Sequence, residues 1–218
     1  DQPMTPTKRL KVLMVSPTLG YGGAESSFLR LADFLREHTD VTIALMAPNY
    51  GTSCYSSEGS LTSHRVALLD SSGVHGRHLF SKFLRWRRML KRLRALKSDH
   101  DVTISFLSGT NLLNALCGDG ETAIVSERGS KLYHTGISPL NKFLWLRILD
   151  PIIYRRVARI VPASIGYGEE IAQICGKSQR HKIFPIEGGI DVSSLLNKAE
   201  AAPDPDIALF CRKPTAVY

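Results

Sequence analysis

Apolar positions along the chain alternate between two periods. Val12 to Val15 is a continuous apolar run, and it ends in a loop holding Gly20, Gly22 and Gly23. Beyond the loop, Phe28, Leu31, Ala32 and Leu35 recur at helical spacing. Strand, glycine loop and helix open a doubly wound α/β domain, with the loop at the strand's carboxyl end, where such domains bind ligands. The same alternation continues down the chain. Short apolar runs predict strands at Asp40–Ala47, His64–Leu69, Asp101–Leu107, Thr122–Val125, Arg159–Ala163 and His181–Ile186. Helical patterns fall at Arg77–Lys97, Asn111–Cys117, Pro139–Ala158 and Tyr167–Cys175. Gly176 closes the last of these, and Pro151 bends or breaks the third. In the first, Leu79, Phe83, Trp86, Leu90 and Leu93 mark one apolar stripe. The expected fold class is therefore α/β, a Rossmann-like, doubly wound, mostly parallel sheet of about seven strands with helices on both faces.

Composition changes this picture in three places. The chain has 218 residues and is 43% hydrophobic, enough for one ample domain. At Asn197 the composition becomes that of a linker, NKAEAAPDPD, followed by an apolar run that ends at Tyr218. Residues 1–196 are thus expected to form the domain, and 197–218 a linker with the start of a second domain. No apolar run is long enough to span a bilayer, and the polar amino end has no signal-peptide core. The expected location is the cytoplasm, including the cytoplasmic face of a membrane. Cys54, Cys117, Cys175 and Cys211 form no CxxC pair, so buried thiols are expected rather than a disulfide framework or zinc site. The seven histidines show no metal-binding pairing, and no metal or cofactor is expected.

Charge is concentrated in one segment. The net charge is +8, and Arg77–Lys97 carries nine Lys or Arg with no acid, leaving 8 − 9 = −1 for the rest. A global argument for nucleic-acid binding would mislead, and no stacking platform accompanies the basic run. The run reads either as a solvated face over a packed stripe or as a basic amphipathic helix on an anionic membrane. Its membrane-facing candidates are Arg85, Trp86, Arg88, Lys91 and Arg92.

The glycine loop does not complete a dinucleotide fingerprint. Gly20, Gly22 and Glu25 occupy the three key positions, and the second strand ends in Ala47-Pro48-Asn49 without an acid for a ribose. Gly22 and Gly23 serve either a tight turn or a close backbone approach to an anion. Glu25 fits a first-turn acid and a hydroxyl contact equally well. Ser108, Thr110 and Asn111 follow the fourth strand as helix-capping or hydroxyl-binding groups. Ser126, Glu127 and Arg128 follow the fifth, as a surface ion pair or as cleft groups for a phosphate and a sugar hydroxyl.

Five stretches in order carry a family resemblance: GGAE with FLRLADFL, DVTISFLSGTNLLNAL, IVSERG, RIVPASIGYGEEI and HKIFPIEGGIDVSSL. Together they resemble the group 1 (family 4) glycosyltransferases, built from two Rossmann-like domains in the GT-B arrangement. The likeness covers most of Leu10–Leu196. It implies that this chain is the amino-terminal, acceptor-side half of a sugar-transferring enzyme. The donor-nucleotide pocket would then lie in the second domain, so the chain would be inactive alone. The resemblance further implies a nucleotide-sugar donor, a glycan or lipid-linked acceptor, no metal, and retention of anomeric configuration. Gly20, Gly22, Gly23 and Glu25 would face the donor. Tyr21, Ser108, Thr110, Asn111, Ser126, Arg128 and Ser164 would face the acceptor, with Glu127 and Arg128 as catalytic candidates. The sequence departs from the family at Glu187 and Gly188, where Asn is frequent. It also has Glu127 and Arg128 where many members have His, so no histidine contact carries over.

Overall fold

The structure, a computed structural model, describes residues 9–20, 22–47, 64–71, 79–118 and 120–188. Two compact units divide the chain, Asp1–Glu187 and Gly188–Tyr218. Of the second unit only Gly188 is described, so the expected linker from Asn197 and the run ending at Tyr218 lie outside the described residues.

Six strands form one parallel sheet: β1 (Lys11–Ser16), β2 (Asp40–Leu45), β3 (Arg65–Leu68), β4 (Val102–Phe106), β5 (Ala123–Glu127) and β6 (Arg159–Pro162). Their order is β3-β2-β1-β4-β5-β6, so the chain reverses its direction of travel between β1 and β4. Val12 pairs with Val41 on one side and Val102 on the other. Five of the six β1 residues are buried, which explains why this central strand reads as an unbroken apolar run.

The helices are α1 (Gly23–Arg36), α2 (Leu79–Lys97), α3 (Ser108–Leu116), α4 (Pro139–Leu144), α5 (Asp150–Arg156) and α6 (Ile165–Cys175). Phe28, Leu29 and Ala32 of α1 pack against Val12, Met14, Val41 and Ile43 on one face of the sheet. Met89 and Leu93 of α2, with Leu113 of α3, cover Leu13, Val15 and Ala44 on the other. This division follows from the pleat, since neighbours along β1 point to opposite faces. Ile153 and Tyr154 of α5, with Tyr167 and Ile171 of α6, close the β5–β6 end around Val125 and Ile160.

Two expectations need correction. A seventh strand at His181–Ile186 does not form. Residues Lys177–Lys182 make a 3-10 helix, and only the isolated bridge Ile160–Ile183 joins the next segment to β6. Phe184 N–H donates to Ile160 O at 2.9 Å and Ile186 N–H to Pro162 O at 3.0 Å. The return bond would have to come from Pro162, which has no N–H, so the ladder stops there. The helix expected at 139–158 forms over 139–156 and is interrupted ahead of Pro151, as expected, by a π-turn at Trp145–Leu149. Widening ahead of the proline accommodates its missing donor and its ring. In α2 the buried stripe is Met89 and Leu93 with Trp86, Leu90 and Leu96 partly covered, whereas Phe83 is exposed.

One backbone approach in the described fold leaves no room for a side chain. A Cβ on Gly120 would lie 2.1 Å from the carbonyl oxygen of Arg156, at the end of α5. Gly120→Ala should therefore cost about 2 kcal/mol or more through forced backbone movement. That corresponds to a fall in melting temperature of about 4–8 °C. An unchanged thermal melt would show that the approach is looser than described.

Candidate functional site

The carboxyl ends of β1 and β4 diverge where the strand order reverses, and open α/β sheets bind ligands at this crevice. On the β1 side Ser16 is buried, and its hydroxyl donates to Thr18 O at 2.9 Å, shaping the turn into the glycine loop. Gly22 is the N-cap of α1, with extended backbone and no side-chain cap. Space beside Gly20 and Gly23 is open, whereas a Cβ on Gly22 would meet the Glu25 carboxylate at 2.2 Å. Glu25 thus folds back over the helix start in the manner of the third residue of a capping box. Tyr21 lies outside the described residues.

On the β4 side, Leu107 has φ 71 and ψ 153, the one non-glycine residue with positive φ among those described. Such a conformation costs a leucine on the order of 1–3 kcal/mol and is found at sites where surrounding structure holds it. It directs the chain from β4 straight into α3. Nothing in the residue type or its neighbours signals it, so pattern reading misses it.

Arg128 follows β5 and is half-buried, with its guanidinium 5.3 Å from the centre of the Phe106 ring at the end of β4. Burial, and then the like charge of Arg30 on α1, pulls Arg128 below the ordinary guanidinium range. Among the described residues no carboxylate pairs with it in an ion pair. A cation held over an aromatic ring and beside a second cation suits a phosphate or another dense anion. Arg30 had no sequence signal, because one arginine on a helix face looks like any other.

Several expected site residues face inward instead. Thr110 and Asn111 are fully buried, and so cannot line an acceptor surface in this conformation. Thr110 donates to the carbonyls of Phe106 and Leu107. Asn111 donates to Ser126 O at 3.1 Å and Glu127 Oε1 at 3.0 Å, and accepts from Ser105 at 2.8 Å. Ser126 is buried as well. Glu127, expected either in a surface ion pair or in a cleft, is only 2% exposed. Tyr167 donates to its Oε2 at 3.3 Å, and Lys131 Nζ lies 3.5 Å away. The reason is register: the end of β5 is covered by α3 on one side and α6 on the other. Ser108 begins α3 and Ser164 caps α6, accepting from Tyr167 N–H at 3.2 Å. Both keep partial or full exposure at the carboxyl edge.

Behind Arg128 lies a buried charge cluster. Lys131 Nζ sits 2.8 Å from Asp150 Oδ1 and 3.5 Å from Glu127 Oε2, all three side chains being under a tenth exposed. It also lies 5.3 Å over the Trp145 ring. Burial, relieved by Lys131 and reinforced by Glu127, pushes the Asp150 carboxyl up to about 6. Burial works against the Lys131 ammonium, but Glu127 and Asp150 outweigh it and leave its pKa raised. The cluster pins the segment after β5 to the start of α5. Ser130 continues the anchor, donating to Glu170 at 2.8 Å and accepting from the amides of Leu132 and Tyr133.

The basic helix is only partly outward. Arg85 lies 2.7 Å and Arg88 3.8 Å from the buried Asp70. Arg94 caps the carbonyls of Leu116 and Cys117, and buried Lys97 binds Asn114 and Gly118 O. Trp86 packs on the core. Of the five expected membrane-facing residues, Arg85, Arg88 and Trp86 are therefore engaged within the domain, and Lys91 and Arg92 are exposed. Among the described residues no three His, Cys, Asp or Glu come together as a metal set. Burial pushes the Cys117 thiol up to about 11 and the Cys175 thiol up to about 12, which makes both inert. No described helix is long and apolar enough to cross a membrane.

Neither family models nor curated proteins match this chain. Solved structures do. Anabaena Alr3699/HepE in complex with UDP and glucose aligns at a TM-score of 0.59 with 13% identity, over 84% of this chain and 46% of that one. UDP-N-acetylglucosamine 2-epimerase from Rickettsia bellii aligns at 0.54 with 10% identity, over 87% and 47%. Phytolacca americana UGT2, complexed with UDP-2fluoro-glucose and pterostilbene, aligns at 0.51 with 12% identity, over 91% and 58%. At such identities the likeness is one of fold. The fold is a Rossmann-like domain of the GT-B kind, and the chain spans about half the length of the solved chains it matches.

Proposed function

We propose that this chain is the acceptor-side half of a family 4 glycosyltransferase. The whole enzyme moves a sugar from a nucleotide-sugar to a glycan or lipid-linked acceptor. The observation that supports this reading is the half-buried Arg128 over Phe106 at the end of β4, in a chain that carries an open glycine loop after β1 and spans about half the length of the solved chains it matches. Gly20, Gly22, Gly23 and Glu25 form the donor-facing wall. Arg128, with Ser108, Ser164 and Tyr21, faces the acceptor or the diphosphate. The reaction breaks the bond from the anomeric carbon to the diphosphate oxygen, and the electron pair leaves with the diphosphate. The acceptor oxygen bonds the anomeric carbon on the same face, and its proton passes to a donor phosphate oxygen. No metal is required, because cations and helix-terminal amides stabilise the leaving diphosphate. Most donor contacts belong to a second domain, so the 218-residue chain by itself turns nothing over.

Amide NMR titration with UDP-glucose and with the mono- and dinucleotides of other bases tests this. The expected result is weak, saturable shifts at Gly20, Gly23 and Arg128, lost in Arg128→Ala, with no release of free nucleotide. Turnover by this chain, or shifts confined to residues away from the crevice, would sink the proposal. Conversion of the donor sugar to an epimer would move the assignment toward the reaction named for the Rickettsia neighbour.

A second reading makes α2 a dock for anionic membrane or another polyanion. It is favoured by the exposure of Phe80, Phe83 and Leu84 on the same helix as exposed Lys82, Arg87, Lys91 and Arg92.

A further inference from the structure

Four cations from three elements meet at one cavity on the amino edge of the sheet, the edge opposite the crevice. Arg155 and Arg156 end α5, Arg159 opens β6, and Lys182 ends the 3-10 helix Lys177–Lys182. Gly120 and Glu121, in the turn that leads into β5, line it as well. The cavity holds about 430 Å³. Its walls are fixed. Lys182 Nζ donates to Arg155 O at 3.0 Å, and a Cβ on Gly120 would lie 2.1 Å from Arg156 O. The Arg159 guanidinium lies 5.3 Å from the centre of the Phe184 ring, and its Nη1 donates to Ala158 O at 2.9 Å.

The charge exceeds what the end of α5 requires. A helix carboxyl terminus carries about half a negative charge, which one cation answers. Lys182, bonded to the Arg155 carbonyl, fills that role. Three guanidiniums remain against Glu121, the one acid among the described residues that line the cavity, a balance of +2. Asp119 lies outside the described residues, and counting it as a second acid still leaves the balance positive. Among the described residues none of the four cations makes an ion pair. Like charges held together repel, and an anion placed among them relieves that repulsion. Guanidinium forks bind two oxygens of a phosphate at once. The volume suits one small phosphorylated solute. Arg159 already covers the Phe184 ring, so that ring offers no platform for the bases of a nucleic acid. We infer that this cavity binds a phosphate or diphosphate group of a small solute, at a site separate from the crevice. The inference does not depend on the sugar-transfer reading.

Amide NMR of the whole chain, titrated with pyrophosphate, tests it, because the shifts report each site separately. Sodium chloride at matched ionic strength is the blank. Wild type should show saturable shifts at Gly120, Arg156 and Arg159, with a Kd of about 1 mM or below at low salt. Arg155→Ser with Arg156→Ser should weaken binding there about tenfold or more, through the loss of two charge-assisted contacts. Both side chains are exposed, and unchanged amide positions elsewhere will show that the fold survives. Glu121→Gln removes the acid and should tighten binding about twofold. Arg128→Ala, on the far edge of the sheet, should leave these shifts within about twofold of wild type. UDP, inorganic phosphate and uridine are run alongside. Tighter binding of UDP than of pyrophosphate assigns the group to a nucleotide, and the reverse order assigns it to a free anion. Four results would overturn the inference: shifts that grow linearly to about 10 mM pyrophosphate or that sodium chloride reproduces; equal binding by the arginine double variant; weaker binding by Glu121→Gln; or movement of these amides by uridine alone.

Discussion

Replacing Lys131 by Met is expected to destabilise the domain by about 3–5 kcal/mol at pH 7.5, the cost of leaving buried charge without its partner. A domain of this size should lose about 10 °C or more in melting temperature. Lys131 serves two buried carboxylates, so its removal leaves Asp150 without its cation and Glu127 with only the neutral donors Asn111 and Tyr167. The penalty should shrink as the pH falls toward 5, because a stranded carboxyl escapes it by taking a proton. In the wild type the sign is already visible at Asp150. Its folded pKa of about 6 lies above the ordinary carboxyl value of 3.8. Between those two values the folded state holds a proton that the unfolded state lacks, so stability falls as pH rises through that window and levels off above it. The size of this effect is on the order of 3 kcal/mol, taking 1.36 kcal/mol per unit. Asp150→Asn leaves one ammonium facing one carboxylate. It should stay within about 1 kcal/mol of wild type at pH 7.5 and lose the slope between pH 4 and 6. Thermal melts of the three proteins from pH 4.5 to 8 check this. A Lys131→Met penalty that does not vary with pH would mean the cluster is solvated rather than buried.

Asn111→Ala should cost about 3 kcal/mol or more, because each unpaired buried partner costs about 1–3 kcal/mol. Three buried groups each lose a partner: the Ser126 carbonyl, the Glu127 carboxylate, which keeps Tyr167 and Lys131, and the Ser105 hydroxyl, which keeps Asn114. Asn111→Asp keeps the shape but sets a second carboxylate against Glu127. It should be worse at pH 7.5 than at pH 5. Ser108→Ala, at the partly exposed start of α3, should be nearly neutral in stability. Urea titrations of the three variants separate two roles for the segment after β4. If Asn111→Ala unfolds like wild type, the residue does not hold the fold together at this point. The structure assigns it to holding α3 against the end of β5.

The residues Leu10–Ala32 illustrate what could be read from the chain alone. A continuous apolar run, a glycine-rich loop and a helical stripe each depend on neighbours within a few positions. β1 and α1 therefore form where expected, β1 within a residue of its run and α1 starting at Gly23, five residues ahead of its apolar stripe. The same holds for β4, α3, β5, β6 and α6, including the Ser164 cap and the closing Gly176 at φ 79. The alternation of strands and helices also implied a parallel sheet, because a parallel pair needs a crossover of that length.

Tertiary structure alone decided which side of each pattern meets the core. A helical period tells which residues share a face, not whether that face is covered, so the apolar pattern of 139–158 carries no sign that Leu140, Phe143 and Ile148 stand in solvent. Glu127 and Asn111 are sixteen residues apart, and Glu127 and Tyr167 forty. They meet because β4, β5 and β6 align in register, which no local pattern encodes. The positive φ of Leu107 has the same origin, since the chain must turn from β4 into a helix packed against β5 whatever residue occupies the corner. Short-range chemistry made the elements and their sequence legible. Long-range burial put Glu127 among Asn111, Tyr167 and Lys131 and left Arg128 half-buried over the Phe106 ring.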